Sequence, residues 1–190
     1  MARSRLTPER ESELYTAVLD LLGEVGYEAL TMDAVAARTR SSKATLYRQW
    51  GSKAELVVKA LRNDKPVHLA DVDTGSLRGD FLAVMGQTDD CKMEKNSALL
   101  RGLSHAVHNN PDLFQALREL LIEPEITGLG AMLQRAVDRG EVRPDNRALP
   151  YVPHMMIGAL AARELVDHCP VDQVFLTDYA ESVVFPALGV

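Results

Sequence analysis

The side chains best suited to polar recognition lie between Thr31 and Lys53, in the run TMDAVAARTRSSKATLYRQWGSK. On a short helix, residues three and four apart align, which gathers Lys43, Ala44, Tyr47 and Arg48 on one side. Val35 and Ala36, then Leu46 and Trp50, fall on the faces that two packed helices turn inward. A helix of this width fits the major groove of DNA, where each base pair presents its own donor and acceptor pattern. Small Ala44 permits close approach, Thr45 offers a methyl or a hydroxyl, and Lys43 and Arg48 can donate to guanine. Thr31, Ser42 and Lys53 stand at the starts of three successive helices, where free amides and the helix dipole favour phosphate. Tyr47 can add a phosphate contact through its hydroxyl.

Other chemistries find little support. His105 and His108 stand three apart, a spacing compatible with metal, but no cysteine or carboxylate completes a set beside them. The run Gly102-Leu103-Ser104-His105-Ala106 lacks the final glycine and the preceding strand of a nucleophile elbow. Phosphate-binding loops and dinucleotide fingerprints are absent. No enzymatic activity, cofactor or metal is expected. Cys91 and Cys169 are too few for a disulfide framework and read as thiols that fill small apolar gaps.

The elements that must position the Thr31–Lys53 run are all helical. Leu14, Val18, Leu21, Leu22 and Val25 recur at spacings of three and four, opened by Thr7-Pro8 and closed by Gly26. Thr31 caps a second helix through Thr39, Ser42 a third ending near Trp50, and Ser52-Lys53-Ala54-Glu55 reads as a capping box for a fourth. The stretch 63–76, rich in aspartate and asparagine with Pro66 and Gly75, predicts a loop and a domain boundary. Further helices are expected at 77–90, 93–108, 112–139, 146–167 and 171–186, the third of these kinked at Pro124. Nothing alternates with period two, so the expected class is all-α, divided as 1–65 and 66–190.

The net charge of −6 is unevenly spread. Residues 1–65 hold 11 Lys and Arg against 9 Asp and Glu, whereas 66–190 hold 10 against 18. An acidic bulk with a mildly basic head suits a protein that meets phosphates at one end. Arg3 and Arg5 read either as a disordered arm without function or as a basic arm that follows the backbone or enters the minor groove. With 46% hydrophobic and 25% charged residues the chain has globular composition. Its apolar runs fall short of the ~20 residues of a membrane span, and its N-terminus does not read as a secretory signal; the expected location is the cytoplasm.

The run from Gly26-Tyr27 through Leu30-Thr31-Met32, Val35-Ala36 and Ser42-Lys43-Ala44-Thr45-Leu46-Tyr47 to Trp50-Gly51-Ser52-Lys53 and Glu55-Leu56 resembles the DNA-binding domain of the TetR family of transcriptional regulators. The resemblance implies a three-helix helix-turn-helix domain, a fourth connecting helix, and an all-helical C-terminal domain that binds a ligand and dimerises. It implies base-facing roles for Lys43, Ala44, Thr45 and Arg48, and phosphate roles for Thr31, Ser42, Tyr47 and Lys53. Where the family usually has a glycine and an aliphatic residue in the turn, this chain has Arg40 and Ser41, which makes Arg40 a further candidate contact.

In the C-terminal part, the stretches around 151–166 and 175–185 are apolar on more than one face, which predicts a second copy packed on the outside. Met156, Ala159, Leu160, Ala162, Phe175, Tyr179 and Val183 are the candidate dimer residues. Candidate walls of a ligand pocket are Phe81, Met85, Leu103, Phe114, Leu117, Met132 and Met155, with Arg101, His105 and His154 as polar anchors. The expected function is a repressor released from a double-stranded operator by a small molecule. The alternatives are a ligand-independent regulator, or a small-molecule-binding protein or enzyme.

Overall fold

The computed structural model describes residues 7–63, 69–87 and 89–190, with the side chains of 92, 96–98, 100–102 and 104 left out. Arg3, Arg5 and residues 64–68 of the expected 63–76 loop lie outside the described residues, and the rest of that loop includes a 3₁₀ turn at Leu69–Asp71. The described residues form helices and turns with no strand. α1 (Pro8–Ala29) starts where Thr7 Oγ1 accepts from the Arg10 amide at 3.3 Å, with Pro8 in its first turn. The helix breaks at Gly26, whose φ of 74° and ψ of 167° suit glycine, and a last turn carries Tyr27 into the core.

α2 (Met32–Thr39) and α3 (Lys43–Trp50) begin under hydroxyl caps, Thr31 on the Ala34 amide at 3.1 Å and Ser42 on the Thr45 amide at 3.0 Å. The Ser52 hydroxyl accepts from the Glu55 amide at the head of α4 (Lys53–Asn63). The reciprocal half of the expected capping box is not made; the Glu55 carboxylate accepts instead from Lys59.

The later helices are α5 (Leu77–Met85), α6 (Asp90–Asn109), α7 (Pro111–Leu117), α8 (Glu123–Asp138), α9 (Val152–Asp167), α10 (Gln173–Tyr179) and α11 (Phe185–Leu188). Five-residue π-helical segments join α7 to α8 (Arg118–Ile122) and α10 to α11 (Ala180–Val184). Each ends two residues before a proline, Pro124 and Pro186. Proline has no N–H to give and its ring crowds the carbonyl four residues back; widening the coil by one residue removes both conflicts. The feature expected at Pro124 is therefore a π-helical turn. α9 starts at Val152, later than the expected 146, after a 3₁₀ turn at Leu149–Tyr151 that accommodates Pro150.

Two compact units result. The first joins the residues up to Asn63 with 99–123, and the second joins 69–98 with 124–190. Division at 65/66 misses the share of α6, α7 and the first π-helical turn that packs with the head: Leu99, Leu103, Ala106, Leu113, Ala116 and Leu121 are buried with the apolar residues of α1 and α4. Their spacing shows that they are apolar on one face, but not which unit that face meets.

The second unit closes its own core around Leu77, Phe81, Met132, Val152, Val184 and Phe185. A buried carboxylate braces it: Asp80 Oδ1 accepts from the Thr74 amide at 2.6 Å and hydroxyl at 2.8 Å, and Oδ2 faces Arg139 at 3.5 Å. Both cysteines are exposed, contrary to the expectation that they fill core gaps. Cys169 follows the left-handed His168 that ends α9, and so lies beyond the packed part of that helix. No described helix is long and apolar enough to cross a membrane.

Candidate nucleic-acid interface

α3 is held by two side chains. Leu46 is completely buried, and the Trp50 indole donates to the Tyr15 hydroxyl at 3.0 Å. The two rings meet edge to face, 6.0 Å between centroids, and Tyr15 in turn donates to Glu11 at 2.7 Å. Burial pushes the Tyr15 phenol up to about 12, so it stays neutral and can serve as acceptor and donor together. Gly51 ends α3 with φ 77°, its amide returning to the Tyr47 carbonyl at 2.9 Å. A side chain there would meet the Glu55 carboxylate at 3.0 Å as well as the strained φ.

With the inner face fixed, the outer face is determined. Lys43, Ala44, Tyr47 and Arg48 are all exposed, and Thr45 is half-buried at the edge. Tyr47 leaves 45% of its surface open. The Arg48 and Arg40 guanidiniums make no hydrogen bond or ion pair among the described residues. Lys43 is also outward, but its ammonium donates to Asp33 of α2 at 2.7 Å. That hydrogen bond raises the Lys43 pKa above the ordinary lysine value. The hydroxyls of Thr31 and Ser42 cap their helices as acceptors and retain hydrogens; Ser42 Oγ also lies 2.8 Å from Thr45 Oγ1.

The turn between α2 and α3 resolves the departure from the usual glycine. Arg40 adopts that left-handed conformation itself, with φ 52° and ψ 38°. Its amide returns to the Ala37 carbonyl, and the Ser41 amide to Ala36 at 3.0 Å, the paired bonds of a Schellman ending. Arg10 of α1 closes the same end by donating to the Thr39 carbonyl at 2.6 Å, and Arg38 pairs with Glu24 at 2.6 Å. Local spacing carries no signal for these clamps, because each joins residues 14 to 29 positions apart.

Lys53 departs from its expected phosphate role. Its ammonium donates to the Tyr27 and Leu30 carbonyls, each at 2.9 Å, and lies 4.1 Å from the centre of the Tyr27 ring. Burial lowers its pKa and pushes the Tyr27 phenol up to about 12. Lys53 therefore ties the start of α4 to the end of α1, with two of its three hydrogens already used.

The candidate pocket residues divide between the two units. Leu103 is buried in the first, Leu117 is half-buried beside it, and Phe114 and His105 are exposed. Phe81, Met85 and Met132 are buried in the second, Phe81 edge-on to Phe185 at 5.5 Å; Met155 is half-buried and His154 exposed. The Arg101 side chain lies outside the described residues.

Among the candidate dimer residues, Ala159 is buried within its own chain, and Met156, Phe175 and Tyr179 pack against the second core. Phe175 also carries the Arg163 guanidinium 4.4 Å from its ring centre. Leu160, Ala162 and Val183 are exposed. So are Ile157, Leu165, Val166 and Val174, which are absent from the expected set, Leu165 by 82%. Residues 157, 161 and 165 form one row on α9, and 158, 162 and 166 the next.

Residues 14–60 match the family described as bacterial regulatory proteins, tetR family, and residues 71–183 the tetracyclin repressor-like C-terminal domain. An uncharacterized HTH-type transcriptional regulator of Mycobacterium tuberculosis is 34% identical over 180 residues, 94% of this chain and 88% of its own. A DNA-binding transcriptional repressor, TetR, of Mycobacteroides abscessus is 33% identical over 92% of both chains. A TetR family transcription regulator of known crystal structure is 30% identical, covering 94% of this chain and 98% of its own, with a TM-score of 0.69. The C-terminal match accounts for the helices beyond the N-terminal motif, and the chain belongs to the TetR family of transcriptional regulators.

Proposed function

We propose that the protein is a sequence-specific repressor that inserts α3 into the major groove. The observation that carries this reading is the outer face of α3, where Tyr47 and Arg48 stand open on a helix whose Leu46 and Trp50 are closed into the core. Arg48 and Lys43 supply donors for guanine, Ala44 and Thr45 contact surface for a thymine methyl, and Thr31, Ser42, Tyr47 and Arg40 reach phosphates. Double-stranded DNA is one partner. A second copy is the other, paired through the exposed apolar rows of α9 with Val174 and Val183, since patches of this kind on a soluble protein mark association surfaces. Two α3 helices then meet successive major grooves, about 34–36 Å apart for half-sites one turn away. A small molecule bound in the C-terminal domain releases the operator by favouring another spacing of the heads. The C-terminal family match supports this last step.

The site is tested by mobility shift on selected duplexes. Arg48→Ala costs about 1–3 kcal/mol against the preferred site and relaxes specificity at one base pair. Tyr47→Phe weakens all sequences alike. Unchanged binding by both variants would remove α3 from the interface.

A further inference from the structure

The Lys43–Asp33 pair sits on the face that is to meet a polyanion, yet one of its members is an anion. Asp33 lies in the first turn of α2 with 71% of its side chain exposed, and Lys43 opens α3 with 49% exposed, 2.7 Å between charged atoms. An ion pair this open contributes little to stability, so holding α2 against α3 is a poor reason for it. Those helices are already joined by buried Val35 and Leu46 and by the Schellman turn. Arg40 and Arg48 on the same surface have no such partner among the described residues. One cation of three is singled out.

We propose that Asp33 is a specificity-determining residue of the DNA reader, acting through Lys43. Paired to Asp33, Lys43 contributes little to the sequence-independent attraction of phosphates. It leaves Asp33 only for a directional acceptor, the O6 and N7 edge of a guanine at the matching position. Wrong sequences offer no such acceptor, and there the Asp33 carboxylate keeps one positive charge cancelled. The effect is to lower affinity for random DNA more than affinity for the operator, which widens the ratio between them.

This inference rests on the reading of α3 as the DNA-contacting helix, and the experiment separates the two. Affinity for a selected site and for a random-sequence duplex is measured at several salt concentrations for the wild type, Asp33→Asn and Asp33→Asn with Lys43→Ala. The Asp33→Asn change keeps the size of the side chain while removing its charge, and fluorescence of Trp50, the one tryptophan, verifies the fold. Releasing Lys43 adds about one phosphate contact. The salt slope of random-sequence binding should steepen by ~0.9, with affinity up about 5- to 10-fold near 0.1 M salt. Affinity for the selected site should rise less, so the specificity ratio falls, and Lys43→Ala should abolish the gain. A merely structural role for Asp33 would not move the slope. An unchanged slope in Asp33→Asn overturns the inference, as does a gain that survives Lys43→Ala. If the wild type selects DNA and Asp33→Asn behaves identically, only the inference fails; if the wild type selects none, the reading beneath it fails too.

Discussion

The first unit is held at single residues by polar groups that burial has altered. Tyr15 and Tyr27 both carry phenols pushed up to about 12, chiefly by desolvation, one accepting from Trp50 and the other under the Lys53 ammonium. A tyrosine in an unfolded chain ionises near 10. Between about pH 10 and 12 the unfolded chain therefore loses protons that the folded one retains, and the stability present below 10 drains away across that window. An alkaline titration followed by phenolate absorbance should show Tyr15 and Tyr27 ionising late, together with loss of Trp50 fluorescence. Tyr15 and Tyr27 ionising near 10 with the fold intact would contradict the burial. The outward face of α3 was legible in the sequence because period 3.6 and the buried Leu46 and Trp50 fix it. The fates of Lys43 and Lys53 were not. A lysine four carbons long takes whatever acceptor the fold brings near: Asp33 comes from α2, and Tyr27 and Leu30 from the end of α1 and its cap.

At the scale of elements, four hydroxyls read from sequence as helix starts do cap: Thr7, Thr31, Ser42 and Ser52 all accept from amides three residues on, although the Glu55 half of the capping box is not made. Such bonds are local, which is why spacing alone reveals them. Turns are less legible when the residue does not announce the conformation. Arg40 occupies a left-handed position that costs a side-chain-bearing residue about 1–2 kcal/mol. Arg40→Gly removes that strain but loosens the unfolded chain by about 0.5–1 kcal/mol, so a net stabilisation of roughly 0.5 kcal/mol is expected by denaturant unfolding. The same variant should bind DNA less tightly, because a phosphate-reaching cation is lost. Equal DNA affinity with raised stability would remove Arg40 from the interface and leave it a turn residue alone. Both prolines that follow π-helical turns were visible in the sequence. The response was not, since a kink, a break and a one-residue widening all relieve the same clash.

Across the whole molecule, the two units differ in what they leave open. The first exposes Tyr47 and cations on α3, with Val25 and Phe114 open as single apolar residues; the second exposes Ile157, Leu160, Leu165 and Val166 along α9. That the C-terminal helices had more apolar surface than one chain needs was legible from composition. Which residues faced out was not, because a helix apolar on several faces gives no phase: Ala159 turned inward while Leu165 stood free. Leu165→Glu places a charge in the proposed pairing surface, and sedimentation should show the dimer giving way to monomer, with operator affinity falling in step. A monomeric wild type, or a dimer indifferent to Leu165→Glu, would move the pairing surface elsewhere.

Selection of duplexes from a random pool by the intact protein tests the central claim most directly. The account predicts an enriched palindrome whose half-sites lie about one helical turn or a multiple apart, with a guanine in each half lost from the consensus when Arg48→Ala is used. A pool that enriches no sequence, or a consensus that Arg48→Ala reproduces unaltered, would contradict it.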